Sequence, residues 1–424
     1  MIKSIFSTFT TRIFSLFISF ATLILTTKYL GAKGRGYISL LTTSAGLINL
    51  FSGFVGGAAL VYLIPKNKSR NFVFQAIILS YCWALLVSIV IGFTLFWTDS
   101  ITENLVIHTL FLGFLLSIIT THNIILVAFE KIILQNLVNI LQIFVNFTLF
   151  AVLLIVLRRA KVSSFIISLY SAYIISLFFS VISIIRNLPS KVENLSLLSS
   201  LKNILKYGLV SQLGNVIQYL NYRFSFYVLK HFSGISAVGV YSVGVVISEA
   251  IWTISGSISL VQYSKIANSD DINYSREITL LLAKLSFLVT FAAICVLILI
   301  PESMFSTIFG EDFSRVKQII IFLFPGIAIF SYSIIISHYF AGIGKYVVNT
   351  KASFIGLIVT LVSNFVLISR YGYSGAAISA SLSYMTTAGF LIYSFVKETG
   401  LAIEKLFPSI GEVRFVINRI IRGI

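Results

Sequence analysis

Long apolar runs alternate along the chain with short turns that carry Lys, Arg, Asp or Glu. Most runs match the ~20 residues a helix needs to cross a bilayer. With no water to satisfy the backbone, such runs must form helices or a closed barrel. They lack the short alternating strands of a barrel, so helices are predicted. Twelve spans result: Phe9 to Leu30, Ile38 to Leu63, Phe72 to Trp97, Leu105 to Phe129, Leu137 to Leu157, Val162 to Ile185, Tyr207 to Leu229, Val238 to Leu260, Leu281 to Ile300, Ile319 to Phe340, Ala352 to Ser369 and Ala376 to Val396.

Polar positions inside these spans are patterned. A shift of 203 residues lays Thr8, Arg12, Ser15, Ser19 and Thr22 of span one onto Ser211, Asn215, Gln218, Tyr222 and Ser225 of span seven. The same shift carries Gly31 onto Gly234, Gly36 onto Gly239, Ser39 onto Ser242 and Gly53 onto Gly256. Steps of three and four put each polar row on one helix face. A shift of 211 residues aligns Ser163, Ile167, Ser168 and Tyr173 with Ser374, Ile378, Ser379 and Tyr384. Six spans per half make the repeat parallel, an arrangement that places a substrate path at the interface of the halves. The predicted fold is an all-α membrane protein of about twelve transmembrane helices in two six-helix lobes. Residues 1–190 and 207–397 form the lobes, 191–206 an amphipathic cytoplasmic linker and 398–424 a basic cytoplasmic tail. Leu195, Leu198, Leu201 and Leu205 give the linker its apolar face, and the tail reads as a surface-lying segment drawn to anionic lipid.

Composition excludes a soluble protein. Apolar residues make up 58% and charged residues 11% of the chain, and the mean hydropathy is +0.99. The net charge of +17 is assigned to topology rather than to nucleic acid. Lys and Arg favour one side of the spans two to one, which puts both termini in the cytoplasm. Arg158, Arg159 and Lys161 run against that bias. The first run lacks a small-residue cleavage site and is expected to remain as an anchor.

Arg12 and Arg223 are the leading chemical candidates, because an Arg in hydrocarbon normally faces a wet interior or a partner. Planar guanidinium groups suit a phosphate clamp; the alternatives are a cytoplasmic flank for Arg12 and an ion pair for Arg223. Glu249 is the acid placed deep in a span. It either exchanges protons and couples transport to an ion gradient or neutralises Arg223. Lys28, Lys33 and Arg35, at the outer end of span one, either receive an anionic head group or form a solvated loop. His108 and His122 read as hydrogen-bonded packing residues, Cys82 and Cys295 as buried apolar residues. No metal site, cofactor motif or catalytic constellation is present in the sequence, so an enzyme is not expected. A membrane polymerase or ligase would also need a larger outer loop than Pro301 to Gln318.

The turn Leu30-Gly31-Ala32-Lys33-Gly34-Arg35-Gly36-Tyr37 is similar to the opening of bacterial polysaccharide flippases. So are Phe324-Pro325-Gly326, Gly342-x-Gly344-Lys345, Asn364 and Tyr371-Gly372-Tyr373-Ser374-Gly375-Ala376-Ala377. Together they resemble the O-antigen (Wzx-type) branch of the multidrug/oligosaccharidyl-lipid/polysaccharide exporter superfamily. The resemblance implies a MATE-like V of two lobes in the bacterial inner membrane, with spans one and seven lining a cavity. The implied substrate is an undecaprenyl-diphosphate-linked oligosaccharide, and the implied partners are membrane lipids, a polysaccharide polymerase and a chain-length regulator. Arg12, Lys28, Arg35 and Arg223 match the family's cationic diphosphate-binding residues. Ser15, Ser19, Thr22, Asn215, Gln218 and Tyr222 would solvate the glycan. A cation-coupled multidrug exporter on the same fold is the competing function.

Overall fold

A computed structural model describes residues 2–193, 196–267 and 271–406. The side chain of Thr8 and the tail segment beyond Leu406 lie outside the described residues. Secondary structure among the described residues is helical throughout.

Among the described residues, nine helical stretches are long and apolar enough to cross a membrane. Three of them, Thr10–Asn67, Ser211–Tyr263 and Tyr346–Thr399, each hold two spans, so the described chain carries the twelve crossings expected. The break within each pair is a glycine. Gly31 has φ 65 and ψ −174, and its repeat counterpart Gly234 has φ 82 and ψ 175. Side chains rarely tolerate this region, so the duplicated glycines explain why both halves turn their first corner identically. Gly372, with φ 55, breaks the last pair. The predicted linker is helical from Leu197 and continues into span seven, within the helix Leu197–Ala250.

Burial differs from that of a soluble protein, because many hydroxyl residues are enclosed beside the apolar core while large apolar residues face outward. Ser44, Ser176, Ser180, Thr109, Thr279 and Thr360 are fully enclosed, whereas Phe17 and Trp97 are 73% and 78% exposed. In lipid the apolar face turns outward, while small hydroxyl residues allow helices to approach closely. Enclosed hydroxyls satisfy themselves on the preceding turn; Thr109 donates to Leu105 O at 2.8 Å and Ser117 to Gly113 O at 2.7 Å. Cys82 departs from expectation for the same reason: it is exposed on the outside of the bundle rather than buried, and both cysteines are free.

The chain divides into two compact units. The first comprises Met1–Tyr219 with Gly234–Gly239 and Thr307–Phe313. Its interior is knit by Tyr81–His122–Ser180, at 2.6 Å to Nε2 and 2.7 Å to Nδ1, and by His108 with Tyr170 at 3.2 Å. Both histidines are therefore hydrogen-bonded packing residues.

The second unit comprises Leu220–Ser233, Val240–Ser306 and Ser314–Ile424. Gly326, beside Pro325, donates its amide to Ser381 Oγ at 2.8 Å, which ties spans ten and twelve together. At one end, Leu401 and Leu406 pack on Tyr332, Ile335, Ile336, Tyr339 and Phe395, and Tyr332 donates to Leu406 O at 3.0 Å.

Candidate functional site

Arg223 and Glu249 meet inside the second unit. They sit 26 positions apart, on either side of the Gly234 corner, so the reversal of the helix brings spans seven and eight alongside. The guanidinium binds the carboxylate bidentately, Nη1 to Oε1 at 3.1 Å and Nη2 to Oε2 at 2.7 Å. Tyr384 donates its hydroxyl to Oε1 at 3.0 Å. The two charged side chains are 24% and 14% exposed, and the Arg223 guanidinium lies 5.6 Å from the Phe226 ring centre. Planar pairing of this kind offsets much of the desolvation cost of two charges in a span.

Tyr384 belongs to a cluster of aromatic rings. Tyr222, Trp252, Phe330 and Tyr384 contact one another with ring centres 4.7 to 5.9 Å apart, and Trp252 Nε1 donates to Ile327 O at 3.0 Å. Ser225 donates to Asn364 Oδ1 at 3.0 Å, while Thr360 and Ser383 both donate to Asn221 Oδ1. The lower end of the span-seven row is thus interior to this unit. Tyr384 was visible as a repeat match, but nothing in the sequence assigned its hydroxyl to Glu249.

The first unit holds the two glycine corners. A Cβ on Gly36 would lie 2.0 Å from Ile235 O, and one on Gly239 would lie 1.9 Å from Ala32 O. These contacts are reciprocal, because the 203-residue shift that relates Gly36 to Gly239 also relates Ala32 to Ile235. Each corner therefore uses its glycine to receive the other's backbone carbonyl. Asp312 caps the break: its Oδ2 accepts from Ala32 N at 2.9 Å across 280 positions of sequence. The helix restarts at Ala32, where the first amides lack an acceptor in the preceding turn. Asp312→Ala should cost about 1 kcal/mol, read as a lower thermal-unfolding midpoint in detergent, and Asp312→Asn should restore most of it; an unchanged midpoint for the alanine variant would remove the cap.

The remaining predicted residues divide between the faces. Arg12 and Ser19 are exposed, Ser15 and Thr22 half-buried, and Thr22 donates back to Ile18 O at 2.8 Å. Lys28 is exposed and Arg35 half-buried, its Nη1 3.5 Å from Thr26 Oγ1. Asn215 is exposed and donates to Gln212 Oε1 at 3.0 Å; Gln218 is half-buried. Gln212 donates to Leu50 O at 3.2 Å and Tyr219 to Thr43 O at 2.7 Å. The face shared by Gln212 and Tyr219 thus docks on span two. Among the described residues, no group of three His, Cys, Asp or Glu converges to hold a metal.

No family model matches the chain. Over 218 residues, half of this chain, it is 27% identical to the Staphylococcus aureus capsular polysaccharide biosynthesis protein CapF. The chain spans about half the length of that curated relative, 55%. Among solved structures it resembles the lipid II flippase MurJ in an inward closed conformation, with TM-score 0.72 at 18% identity over 94% of this chain and 90% of that one. It also resembles an inward-facing multidrug resistance MATE family transporter of the MOP superfamily, with TM-score 0.68 at 15% identity over 91% and 94%. The fold is the MATE type. The chain is a multi-pass membrane protein, as its apolar helices require.

Proposed function

We propose that this chain flips undecaprenyl-diphosphate-linked oligosaccharide repeat units across the bacterial inner membrane, from the cytoplasmic to the outer leaflet. The observation that carries the reading is Arg223, a guanidinium deep in span seven held in a fixed orientation by Glu249, whose carboxylate also accepts from Tyr384. A diphosphate offers the same paired oxygens as the carboxylate and could exchange with it on one bidentate donor. Likeness to the capsular protein CapF and to a lipid II flippase supports a lipid-linked saccharide. The lipid tail stays in the bilayer; hydroxyls and amides of Ser15, Ser19, Thr22, Asn215 and Gln218 in the first unit solvate the sugars. Alternating access proceeds by rocking of the two halves. A polysaccharide polymerase and a chain-length regulator would act downstream.

A cation-coupled multidrug exporter is the second reading, favoured by the intramembrane carboxylate of Glu249 and the fold shared with MATE transporters. One deletion separates the two. The flippase predicts loss of surface polysaccharide and lipid-linked units retained on the cytoplasmic leaflet. Normal polysaccharide in a strain without a substitute flippase sinks it, and drug sensitivity in that strain would favour the exporter.

A further inference from the structure

Two corners of the first unit carry charge that the twelve-span scaffold does not need. Lys28 and Lys33 flank the Gly31 corner, and Arg158, Arg159 and Lys161 fill the corner between spans five and six. All five are exposed, and their side chains have no ion-pair or hydrogen-bond partner among the described residues. The corners adjoin: a Cβ on Gly34 would sit 3.7 Å from Val162 Cγ2. Alternation of the spans puts them at one end of the unit, the outer end in the proposed topology, where basic residues are normally sparse.

The repeat shows that this charge is an addition. Lys28, Lys33, Arg158 and Lys161 fall on His231, Ser236, Ser369 and Gly372; only Arg159 has a cationic counterpart, Arg370. Where the second half turns at one glycine, the first half extrudes a basic loop after a π-helical turn, Val152–Val156. That loop is held in place. Arg159 N donates to Leu153 O at 2.9 Å, and Ser164 Oγ donates to Arg159 O at 2.7 Å. Tyr29 and Trp97, 44% and 78% exposed, lie at the same end of the spans. Exposed aromatic rings settle at headgroup level, so the cations stand at the depth of lipid phosphates.

We propose that these two basic corners form one docking surface for the diphosphate headgroup of the transported lipid on the leaflet it reaches. The inference rests on the flippase reading. Arg158 and Arg159 supply planar forks for phosphate oxygens, while Lys28, Lys33 and Lys161 add point charges.

The test uses the full-length protein in phosphatidylcholine nanodiscs, with geranylgeranyl diphosphate as the probe. Lys28→Ala/Lys33→Ala and Arg158→Ala/Arg159→Ala/Lys161→Ala should each weaken diphosphate binding about tenfold or more. Lys202→Ala/Lys206→Ala, at the opposite end, should not. The charge-keeping Arg158→Lys/Arg159→Lys variant should fall between wild type and the alanine variants, keeping the charge but losing the forks, and guards against misfolding as the cause. Geranylgeranyl monophosphate should bind more weakly than the diphosphate and lose less in the same variants. Unchanged diphosphate affinity in both corner variants overturns the proposal. So does an equal loss for nanodiscs titrated with phosphatidylglycerol, which would mark nonspecific attraction to anionic lipid. Wild-type protein that flips and binds while the corner variants behave identically defeats this inference alone; wild-type protein that neither binds nor flips a diphosphate lipid defeats the flippase reading itself.

Discussion

Arg223→Ala is expected to abolish transport while the protein still inserts and accumulates. Removing the guanidinium takes away the only described group that binds Glu249 at two oxygens, at 3.1 and 2.7 Å, and with it the proposed diphosphate donor. The reverse substitution breaks the same pair from the other side. Glu249→Ala leaves a guanidinium inside the span without its carboxylate, and breaking a buried pair from one side costs about 3–5 kcal/mol. That variant should lose stability as well as transport. The double variant Arg223→Ala/Glu249→Ala removes both charges, so its thermal midpoint should recover toward wild type while transport stays absent. Glu249→Gln keeps the contact geometry with Tyr384 without the charge; if Glu249 couples an ion, its transport should lose dependence on the proton gradient. Full activity in Arg223→Ala membranes removes the pair from the mechanism.

The second large effect belongs to the glycine clasp. Gly36→Val and Gly239→Val each place atoms within about 2 Å of a backbone carbonyl, a collision that rotamer changes cannot relieve. Overpacking of this kind costs about 1–3 kcal/mol where neighbours can yield, and more where the neighbour is main chain. The corners should therefore part, biasing the protein away from the clasped state and blocking the transport cycle. Ser39, 3% exposed and one turn from Gly36, reports on this. In a Cys82→Ser/Cys295→Ser background, Ser39→Cys should react faster with a water-soluble maleimide once either valine is present. Gly389→Val is the control, since nothing described lies within 4 Å of its Cβ position. Equal labelling in all three would show that the corners separate without these glycines.

The polar rows illustrate how far residue patterns reach. They marked spans one and seven as related and unusual. Gly53 and Gly256 were equivalent in the repeat, yet a Cβ on Gly53 would press on Gln212 Nε2 at 2.6 Å, while Gly256 faces no described atom within 4 Å. Duplicated positions had become different environments. Tyr384 and Asp312 show the same limit from the other side. Their partners lie 135 and 280 positions away, and no local signal announces such a contact.

What the sequence by itself determined was whatever a helix and a bilayer read one residue at a time. Run length and apolarity set the twelve crossings, glycine's freedom at positive φ placed the corners, and the spacing of polar residues exposed the repeat. The tertiary structure alone decided which helix faces meet. It joined Arg223 to Glu249 and Glu249 to Tyr384, sent Gln212 and Tyr219 onto span two, and locked Gly36 against Ile235. The reason is physical. In lipid the faces that meet another span are nearly as apolar as those that meet the bilayer, so hydrophobic period carries little information about packing direction. Register between spans is settled by small residues and a few polar contacts, and their energies exist only once both partners are in place.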